Sequence, residues 1–230
     1  MPITLLSFDL DGTLVDTVGE IAQAANMTLA DAGLPSATLE QVRRLIGAGA
    51  QALMQQLLAP ALADLRGADA AGPTAHLLRR FSEHYGQVAG TQARPYPGCS
   101  ALLQQLRGAG LQLACVTNKE QVFARQVLQA TQLDGLFDLL IGGDTLAHKK
   151  PHPGVLEHVC QVFGRTAANV VHVGDSRTDV QAARNAGVAA WAVSYGYNGD
   201  EPIASTQPDQ LFDSLPAIGQ HVCAMRAAAR

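Results

Sequence analysis

Short apolar runs of strand length alternate with segments of helical periodicity over most of this chain. The predicted strands are ITLLSFD, LQLACVT, FDLLIGG, NVVHVGD and VAAWAVS. The predicted helices between them are CSALLQQLRGAG, QVFARQVLQATQL, PGVLEHVCQVFG and RTDVQAARNAG. Because a helix that connects two strands of one sheet leaves them parallel, this alternation predicts an α/β fold with a parallel, Rossmann-like sheet and helices on both faces.

The alternation is interrupted after the first strand by a long segment that is predicted to be entirely helical. Its predicted helices are VGEIAQAANMTLADAG, a helix opened by a Thr38–Gln41 capping box and running through Ile46, AQALMQQLLAPAL, and a helix from Thr74 to about Val88. The stretch ALADLRGADAAGPT is predicted as a loop, and Gly47-Ala48-Gly49 as a tight turn that faces the ligand. We therefore expect an α/β core formed by residues 1–16 and 95–230, interrupted by a helical cap at residues 17–94.

Composition and charge narrow the classes of partner. The chain is 47% hydrophobic and 16% charged, which is typical of a protein with a packed interior. Its net charge of −4 argues against binding to nucleic acid or to an anionic membrane surface. The sequence has no apolar stretch long enough to span a bilayer, no basic segment of the signal-peptide type and no cysteines at C-x-x-C spacing. We therefore expect a cytoplasmic protein that binds neither nucleic acid nor membrane.

Polar and charged residues lie where the predicted strands end. They are Asp9-Leu10-Asp11-Gly12-Thr13 after the first strand, Thr117-Asn118-Lys119 after the second, Lys149-Lys150-Pro151 in the loop after the third, and Gly174-Asp175-Ser176-Arg177-Thr178-Asp179 at the end of the fourth. In an open parallel sheet, ligands bind outside the carboxyl ends of the strands, near the point where the strand order reverses. The sequence therefore predicts that carboxylates, a hydroxyl and an ammonium group meet at one edge of the sheet.

This grouping of acids predicts a magnesium site. Like charges repel each other unless a cation neutralises them, and an all-oxygen set of ligands suits Mg²⁺. The expected ligands are the side chains of Asp9 and Asp175, together with the backbone carbonyl of Asp11. Asp179, one helical turn beyond Asp175, is expected either to hold a metal-bound water or to anchor Lys150.

A metal ion and a lysine around a carboxylate form a site that traps phosphate beside a nucleophile. A carboxylate can attack phosphorus to form an aspartyl phosphate, which divides one difficult hydrolysis into two easier steps. Asp11 lies beside the nucleophile but on the turn, so we expect it to act first as acid and then as base. Thr117 and the backbone amides near Leu10 and Asn118 are expected to bind phosphoryl oxygens.

The motifs and their order resemble the haloacid dehalogenase superfamily of phosphatases. DLDGTLVD looks like the first motif of that family, Thr117 in VTNK the second, Lys150 in KKPHP the third and GDSRTD the fourth. The helical insert directly after the first motif is similar to the small helical cap of one subfamily. The stretches IGGDTLAHKKPHP, VGDSRTDVQAARNAG and IGAGAQALM are similar to the bacterial members that hydrolyse 2-phosphoglycolate.

The resemblance implies a role for each matching residue. Asp9 would be the nucleophile and a metal ligand, and Asp11 the general acid/base that also gives its carbonyl oxygen to the metal. Asp175 would be the remaining protein ligand, and Thr117 and Lys150 would bind the phosphate. The implied activity is a Mg²⁺-dependent phosphomonoesterase for a small phosphorylated metabolite, with 2-phosphoglycolate as the expected substrate.

Three other functions remain open at this point. The substrate could be another small phosphate ester, such as a sugar phosphate. A sugar phosphomutase of the same superfamily would return the phosphoryl group to its product instead of transferring it to water. A phospho-accepting signalling module also combines a parallel sheet, an acidic metal site, a hydroxyl and a lysine, but Asp11 and the helical insert favour turnover.

Overall fold

Strands and helices alternate in the protein, seen here in a computed structural model that describes residues 3–62 and 68–228. Within these residues, the strands are, in chain order, β1 (Leu5–Phe8), β2 (Val15–Asp16), β3 (Arg94–Pro95), β4 (Gln112–Val116), β5 (Leu139–Ile141), β6 (Val170–Gly174), β7 (Ala189–Val193) and β8 (Gln210–Phe212). The α-helices are α1 (Val18–Asp31), α2 (Leu39–Leu45), α3 (Ala50–Leu62), α4 (Ala68–Val88), α5 (Cys99–Gly108), α6 (Gln121–Ala130), α7 (Gly154–Val162), α8 (Arg177–Asn185) and α9 (Leu215–Ala228).

Six of the strands in the described ranges form one sheet in the order β5-β4-β1-β6-β7-β8, and every neighbouring pair is parallel. β1 lies inside the sheet, where Leu5 pairs with Gln112 of β4 and with Val170 of β6. The chain builds outward from β1 to β5 on one side and then returns to β6 on the other, so the strand order reverses beside β1. The predicted parallel sheet is confirmed, and its ligand-binding edge lies at the ends of β1, β4 and β6.

Helices cover both faces of the sheet. Leu6 and Phe8 of β1 pack in one apolar cluster with residues of α5, α6 and α9, whereas Leu5 packs in a second cluster with residues of α7 and α8. Because both faces are buried, β1 is apolar at three of its four positions, as expected for an inner strand of a parallel sheet, and the hydroxyl of its polar residue, Ser7, donates a hydrogen bond to the carbonyl oxygen of Val171.

The helices α1 to α4 lie between the two short strands β2 and β3. These strands pair antiparallel, with Val15 opposite Pro95 and Asp16 opposite Arg94, so the chain enters and leaves the helical segment side by side. The four helices bury a third apolar cluster, which also includes Phe123 of α6. We propose that the chain is divided into a cap (residues 17–94) and a core (the rest of the chain), and both names are used below.

The predicted loop ALADLRGADAAGPT is wrong at its C-terminal end. Helix α3 ends at Leu62, as predicted for AQALMQQLLAPAL, but α4 begins at Ala68 rather than at Thr74. Residues 63–67 of this stretch lie outside the described residues. Helical stability in proteins comes mostly from the packing of an apolar face rather than from propensity, and α4 buries Leu77, Phe81 and Tyr85, which outweighs the glycine and the proline near its start.

The remaining predicted elements agree with the structure. The capping box of Thr38 and Gln41 opens α2, and the five predicted strands are β1, β4, β5, β6 and β7. The strands β2, β3 and β8 and the helix α9 were not predicted, because the strands are only two or three residues long and α9 has weak periodicity. None of the helices in the described ranges is both long and apolar enough to cross a membrane.

Candidate active site

Side chains from separate parts of the chain meet at the carboxyl edge of the sheet. Asp9 directly follows β1, Thr117 follows β4, Lys150 lies in the loop before α7, and Asp175 follows β6. Lys150 Nζ lies 2.9 Å from Asp9 Oδ1. Carboxylate oxygens of Asp9, Asp175 and Asp179 lie within 4.8 Å of one another. The structure therefore brings together the acids and the lysine that the sequence distributes over several strand ends.

Lys150 is buried, and its ammonium group has three acceptors. Nζ donates hydrogen bonds to Asp9 Oδ1 at 2.9 Å, to Asp179 Oδ1 at 2.6 Å and to the carbonyl oxygen of Val116 at 2.7 Å. Burial lowers the pKa of a lysine, but the two carboxylates more than offset this effect, and the pKa of Lys150 is raised above its usual value. Lys150 therefore stays charged and holds two of the acids together.

Asp179 anchors Lys150, which is one of the two roles expected for it. Its Oδ2 atom accepts hydrogen bonds from Ser176 N at 3.1 Å and Ser176 Oγ at 2.5 Å, and its Oδ1 atom lies 3.2 Å from His172 Nε2. Burial acts to raise the pKa of Asp179, but Lys150 and His172 outweigh it and hold that pKa well below the usual range. Asp179 is thus fixed from both sides, and the buried His172, which was not predicted, contributes to its position.

Asp9 and Asp175 carry an unfavourable concentration of negative charge. Burial raises the pKa of Asp9 to about 6, although Lys150 acts in the opposite direction. Burial, together with Asp9 and Asp179, raises the pKa of Asp175 well above its usual value. A divalent cation relieves such repulsion, and carboxylate oxygens are the ligands that hard cations prefer. The residues present therefore fit a divalent metal ion.

Asp175 is held by donors from two other parts of the chain. Its Oδ1 atom accepts a hydrogen bond from Thr13 Oγ1 at 2.8 Å, and its Oδ2 atom accepts one from the backbone N–H of Tyr197. The Tyr197 hydroxyl accepts hydrogen bonds from the backbone N–H groups of Thr17 at 2.9 Å and Val18 at 3.1 Å. Tyr197 therefore connects the acid cluster to the start of α1 in the cap.

Asp11 pairs with Lys119, a residue for which no role was predicted. Asp11 Oδ1 accepts a hydrogen bond from Thr17 Oγ1 at 2.6 Å and lies 2.7 Å from Lys119 Nζ. The other oxygen, Oδ2, has no hydrogen-bond partner among the described residues. The signal that could have identified Lys119 was its position two residues after Thr117, at the same edge of the sheet.

The ammonium group of Lys119 also contacts the cap through Tyr85. Lys119 Nζ lies 2.5 Å from the Tyr85 hydroxyl and 4.6 Å from the centroid of its ring. The hydroxyl donates a hydrogen bond to Glu20 Oε1 at 2.9 Å, and Glu20 Oε2 accepts one from the backbone N–H of Gly90 at 2.9 Å. Burial, with the charges of Asp11 and Glu20, raises the pKa of Tyr85 well above its usual value, so the hydroxyl stays protonated.

The turn Gly47-Ala48-Gly49 of the cap lies against the core. Asn118 Nδ2 donates hydrogen bonds to the carbonyl oxygens of Gly47 at 3.1 Å and Lys150 at 2.9 Å. Lys149 Nζ donates one to the carbonyl oxygen of Ala48 at 2.8 Å. The turn and the core enclose a cavity of about 50 Å³, whose lining includes Asp9, Asp11, Gly47, Gly49, Thr117 and Asn118. The turn therefore does face the expected ligand position.

Replacement of Gly12 by alanine is expected to displace Asp175. The φ angle of Gly12 is +84°, and an added Cβ would overlap Asp175 Oδ2 and lie 2.7 Å from Cδ2 of Tyr197. The strained backbone costs about 1–2 kcal/mol, so thermal unfolding of Gly12→Ala should begin several degrees lower. Calorimetric titration should show weaker binding of divalent metal ions.

A matched control for this variant is Gly108→Ala, at the exposed end of α5. An added Cβ meets nothing within 4 Å there, so we expect metal affinity and stability to stay close to those of the wild type. Equal metal affinity of Gly12→Ala and the wild type would show that Asp175 does not depend on the turn at Gly12.

Comparisons with known proteins find similar sequences and a similar structure. The sequence model of the family described as haloacid dehalogenase-like hydrolase matches residues 6–193. The chain is 40% identical over 217 residues to phosphoglycolate phosphatase of Aliivibrio fischeri, with 93% of each chain covered. It is 42% identical over 214 residues to phosphoglycolate phosphatase of Pseudomonas syringae pv. tomato, with 92% of this chain and 76% of the relative covered. The crystal structure of a predicted phosphoglycolate phosphatase from Haemophilus somnus superposes with a TM-score of 0.88 and 36% identity, covering 94% of this chain and 96% of that chain.

Proposed function

Because this chain belongs to the haloacid dehalogenase-like hydrolases, we propose that it is a Mg²⁺-dependent phosphomonoesterase that hydrolyses 2-phosphoglycolate to glycolate and phosphate. The observation that carries the chemistry is the buried cluster of Asp9, Asp175 and Asp179 around Lys150. The substrate follows from the relatives at 40% and 42% identity, both of which are phosphoglycolate phosphatases.

The proposed nucleophile is Asp9, through its Oδ2 atom. Oδ1 accepts the hydrogen bond from Lys150, whereas Oδ2 has no hydrogen-bond partner among the described residues and is open to the ligand. Oδ2 attacks phosphorus and the ester oxygen leaves, which produces an aspartyl phosphate on Asp9. Thr117 and the backbone N–H of Asn118 bind phosphoryl oxygens, and Lys150 offsets their charge.

Asp11 is the proposed general acid and base. Its Oδ2 atom, which is free of partners in the described residues, gives a proton to the departing ester oxygen and so releases glycolate. In the second step the same atom takes a proton from water, which attacks phosphorus and releases phosphate from Asp9. Thr17 and Lys119 hold the carboxylate through Oδ1 and leave Oδ2 available for both transfers.

The residues that would hold Mg²⁺ are Asp9, Asp175 and the backbone carbonyl of Asp11. When bound, the ion neutralises the clustered carboxylates and withdraws charge from the phosphoryl group. Thr13 and Tyr197 keep Asp175 in position for this task. Asp179 stays bound to Lys150 and so sets the position of the ammonium group beside Asp9.

A panel of phosphate esters tests the proposed activity. We expect kcat/KM to be highest for 2-phosphoglycolate when it is compared with hexose phosphates and nucleoside monophosphates in the presence of Mg²⁺. A preference for a sugar phosphate would contradict the proposed substrate, and return of the phosphoryl group to a hexose would indicate a mutase. Labelling of the protein by one equivalent of phosphate without release of free phosphate would favour the signalling module.

Removal of divalent metal ions is expected to lower the rate of hydrolysis by about 10³-fold or more, because the metal supplies several kcal/mol of charge stabilisation. The rate should return when Mg²⁺ is added to the stripped protein. Mg²⁺ should also raise the temperature of thermal unfolding, because it binds the folded protein and relieves repulsion between Asp9 and Asp175. Hydrolysis that continues at its full rate in excess chelator would rule out the proposed metal site.

The proposed partner is a small phosphorylated metabolite, and the proposed location is the cytoplasm. All four cysteines are free thiols, as is usual in a reducing compartment. The net charge of −4 supports the proposal that the protein binds neither nucleic acid nor an anionic membrane.

A further inference from the structure

The cavity between the cap and the core has an unequal distribution of charge. Acidic side chains line it at Asp9, Asp11 and Glu120, and the cap contributes an apolar wall that includes Leu53 and Phe81. A ligand with a second anionic group would be repelled by these acids unless a cation lay nearby. Among the described residues that line this cavity, the one with a positive charge is Lys119.

Lys119 has a hydrogen-bond donor to spare, whereas Lys150 does not. An ammonium group carries three N–H donors, and those of Lys150 are taken by Asp9, Asp179 and Val116. The lysine that lines the cavity is Lys119, and within the described part of the chain its ammonium group contacts Asp11 Oδ1 and the Tyr85 hydroxyl. One N–H of Lys119 is therefore left for a ligand.

The ammonium group of Lys119 is also fixed in direction. Its side chain is only 4% exposed. The Tyr85 hydroxyl donates its proton to Glu20, so its oxygen lone pair is directed to Lys119. Glu20 is fully buried and accepts from the backbone of the cap through its second oxygen. A chain of three side chains, Lys119–Tyr85–Glu20, thus holds the cation in place before any ligand enters.

The position of Lys119 matches the shape of 2-phosphoglycolate. Asp11 is the proposed proton donor to the ester oxygen, and Lys119 lies 2.7 Å from Asp11. In 2-phosphoglycolate the carboxyl carbon is separated from the ester oxygen by a single methylene group. A cation in contact with Asp11 is therefore within reach of the substrate carboxylate.

We propose that Lys119 binds the carboxylate of the substrate, and that the enzyme selects phosphate esters of small 2-hydroxy acids through this contact. The inference rests on the proposed function and assigns its substrate specificity to one residue. The contact is a hydrogen bond between two charged groups in a buried site, which is among the stronger polar contacts in proteins.

Two esters of the same shape test this inference on the purified full-length protein. They are 2-phosphoglycolate and 2-phosphoglycolamide, in which an uncharged carboxamide replaces the carboxylate. For the wild type we expect kcat/KM to be about 100-fold higher for the acid than for the amide, as expected for a charge-assisted contact in a buried site. For Lys119→Gln, which keeps a hydrogen-bonding side chain but loses the charge, we expect this ratio to fall to within about threefold of one.

The ratio is measured on the same protein sample, so any general loss of activity through Asp11 cancels. Lys119→Arg keeps the positive charge and should retain a preference of about tenfold or more for the acid. Arg125→Met removes a positive charge from the exposed side of α6, outside the cavity, and should retain the full preference.

Each outcome of this experiment decides the inference. Equal activity of the wild type on the two esters would overturn the role of Lys119 but not the proposed phosphatase activity. The same conclusion would follow if Lys119→Gln kept the acid-to-amide ratio of the wild type. Activity of the wild type on neither ester, with hydrolysis of other phosphate esters, would overturn the proposed substrate and the inference together. If Lys119→Gln does not fold, the wild type and Lys119→Arg still test the inference, because equal activity of either protein on the two esters would overturn it.

Discussion

Asp9→Asn is expected to lower kcat by on the order of 10⁴-fold or more, as is found when the nucleophile of a covalent mechanism is removed. Asparagine can still accept the hydrogen bond from Lys150, so the position of the lysine should be preserved. The amide cannot form the aspartyl phosphate, and trapping of the protein with labelled substrate should therefore yield no labelled Asp9→Asn.

The same substitution should not destabilise the protein. Burial raises the pKa of Asp9 from 3.8 to about 6. Ionisation of Asp9 therefore lowers the free energy of unfolding. This loss of stability begins above about pH 4, is complete above about pH 6, and then amounts to about 3 kcal/mol. Without metal at pH 7, we expect Asp9→Asn to unfold at the same temperature as the wild type or several degrees higher, and this difference should disappear below pH 4.

Asp134→Asn is a matched control for Asp9→Asn, because Asp134 is exposed and lies away from the cavity. We expect it to keep the kcat and the unfolding temperature of the wild type. A folded Asp9→Asn protein that turns over at a normal rate would refute the assignment of the nucleophile. An Asp9→Asn protein that is inactive because it is unfolded would contradict the expected gain in stability.

Asp11→Asn is expected to lower kcat for 2-phosphoglycolate by about 10²–10⁴-fold, which is the usual contribution of a general acid or base. The loss should depend on the leaving group. Glycolate needs a proton as it leaves, whereas p-nitrophenolate leaves readily without one. With p-nitrophenyl phosphate, the first step should survive in this variant and the second should be slow, because water is no longer activated.

Rapid mixing of Asp11→Asn with p-nitrophenyl phosphate measures this difference between the two steps. We expect a burst of about one equivalent of p-nitrophenolate per protein, followed by slow steady-state release. Normal steady-state turnover of 2-phosphoglycolate by a folded Asp11→Asn protein would remove the role of Asp11 as acid and base. Loss of both the burst and the steady-state release of p-nitrophenolate would show that the first step needs Asp11 even when the leaving group needs no proton.

The sequence was sufficient to predict the parallel sheet, because its inner strands are buried on both faces. β1 is apolar at Leu5, Leu6 and Phe8 for this reason. The short edge strand β8 and the pair β2 and β3 have too few residues to show a period, and their formation depends on neighbours distant in the sequence. The start of α4 was misplaced because the packing of its apolar residues in the cap, which no local pattern shows, outweighs two residues that usually break helices.

The acids of the candidate site could be located from the sequence because each one directly follows a predicted strand. The residues that position them could not be located in this way. Tyr197 contacts the backbone of Thr17 across 180 positions of the chain, and Lys119 meets Tyr85 across 34. Such contacts arise only when the cap has packed on the core, and no local pattern in the sequence marks them.

Because the chain enters and leaves the helical insert side by side at β2 and β3, the insert can be replaced without disturbing the rest of the molecule. Since Asp16 lies opposite Arg94, a chain that leaves the sheet at this point returns to almost the same place, whatever the length of the excursion. Insertions of different size and shape can therefore be accommodated without changing the register of the six-stranded sheet. Evolution can therefore exchange the cap while the reaction centre at the edge of the sheet is inherited intact.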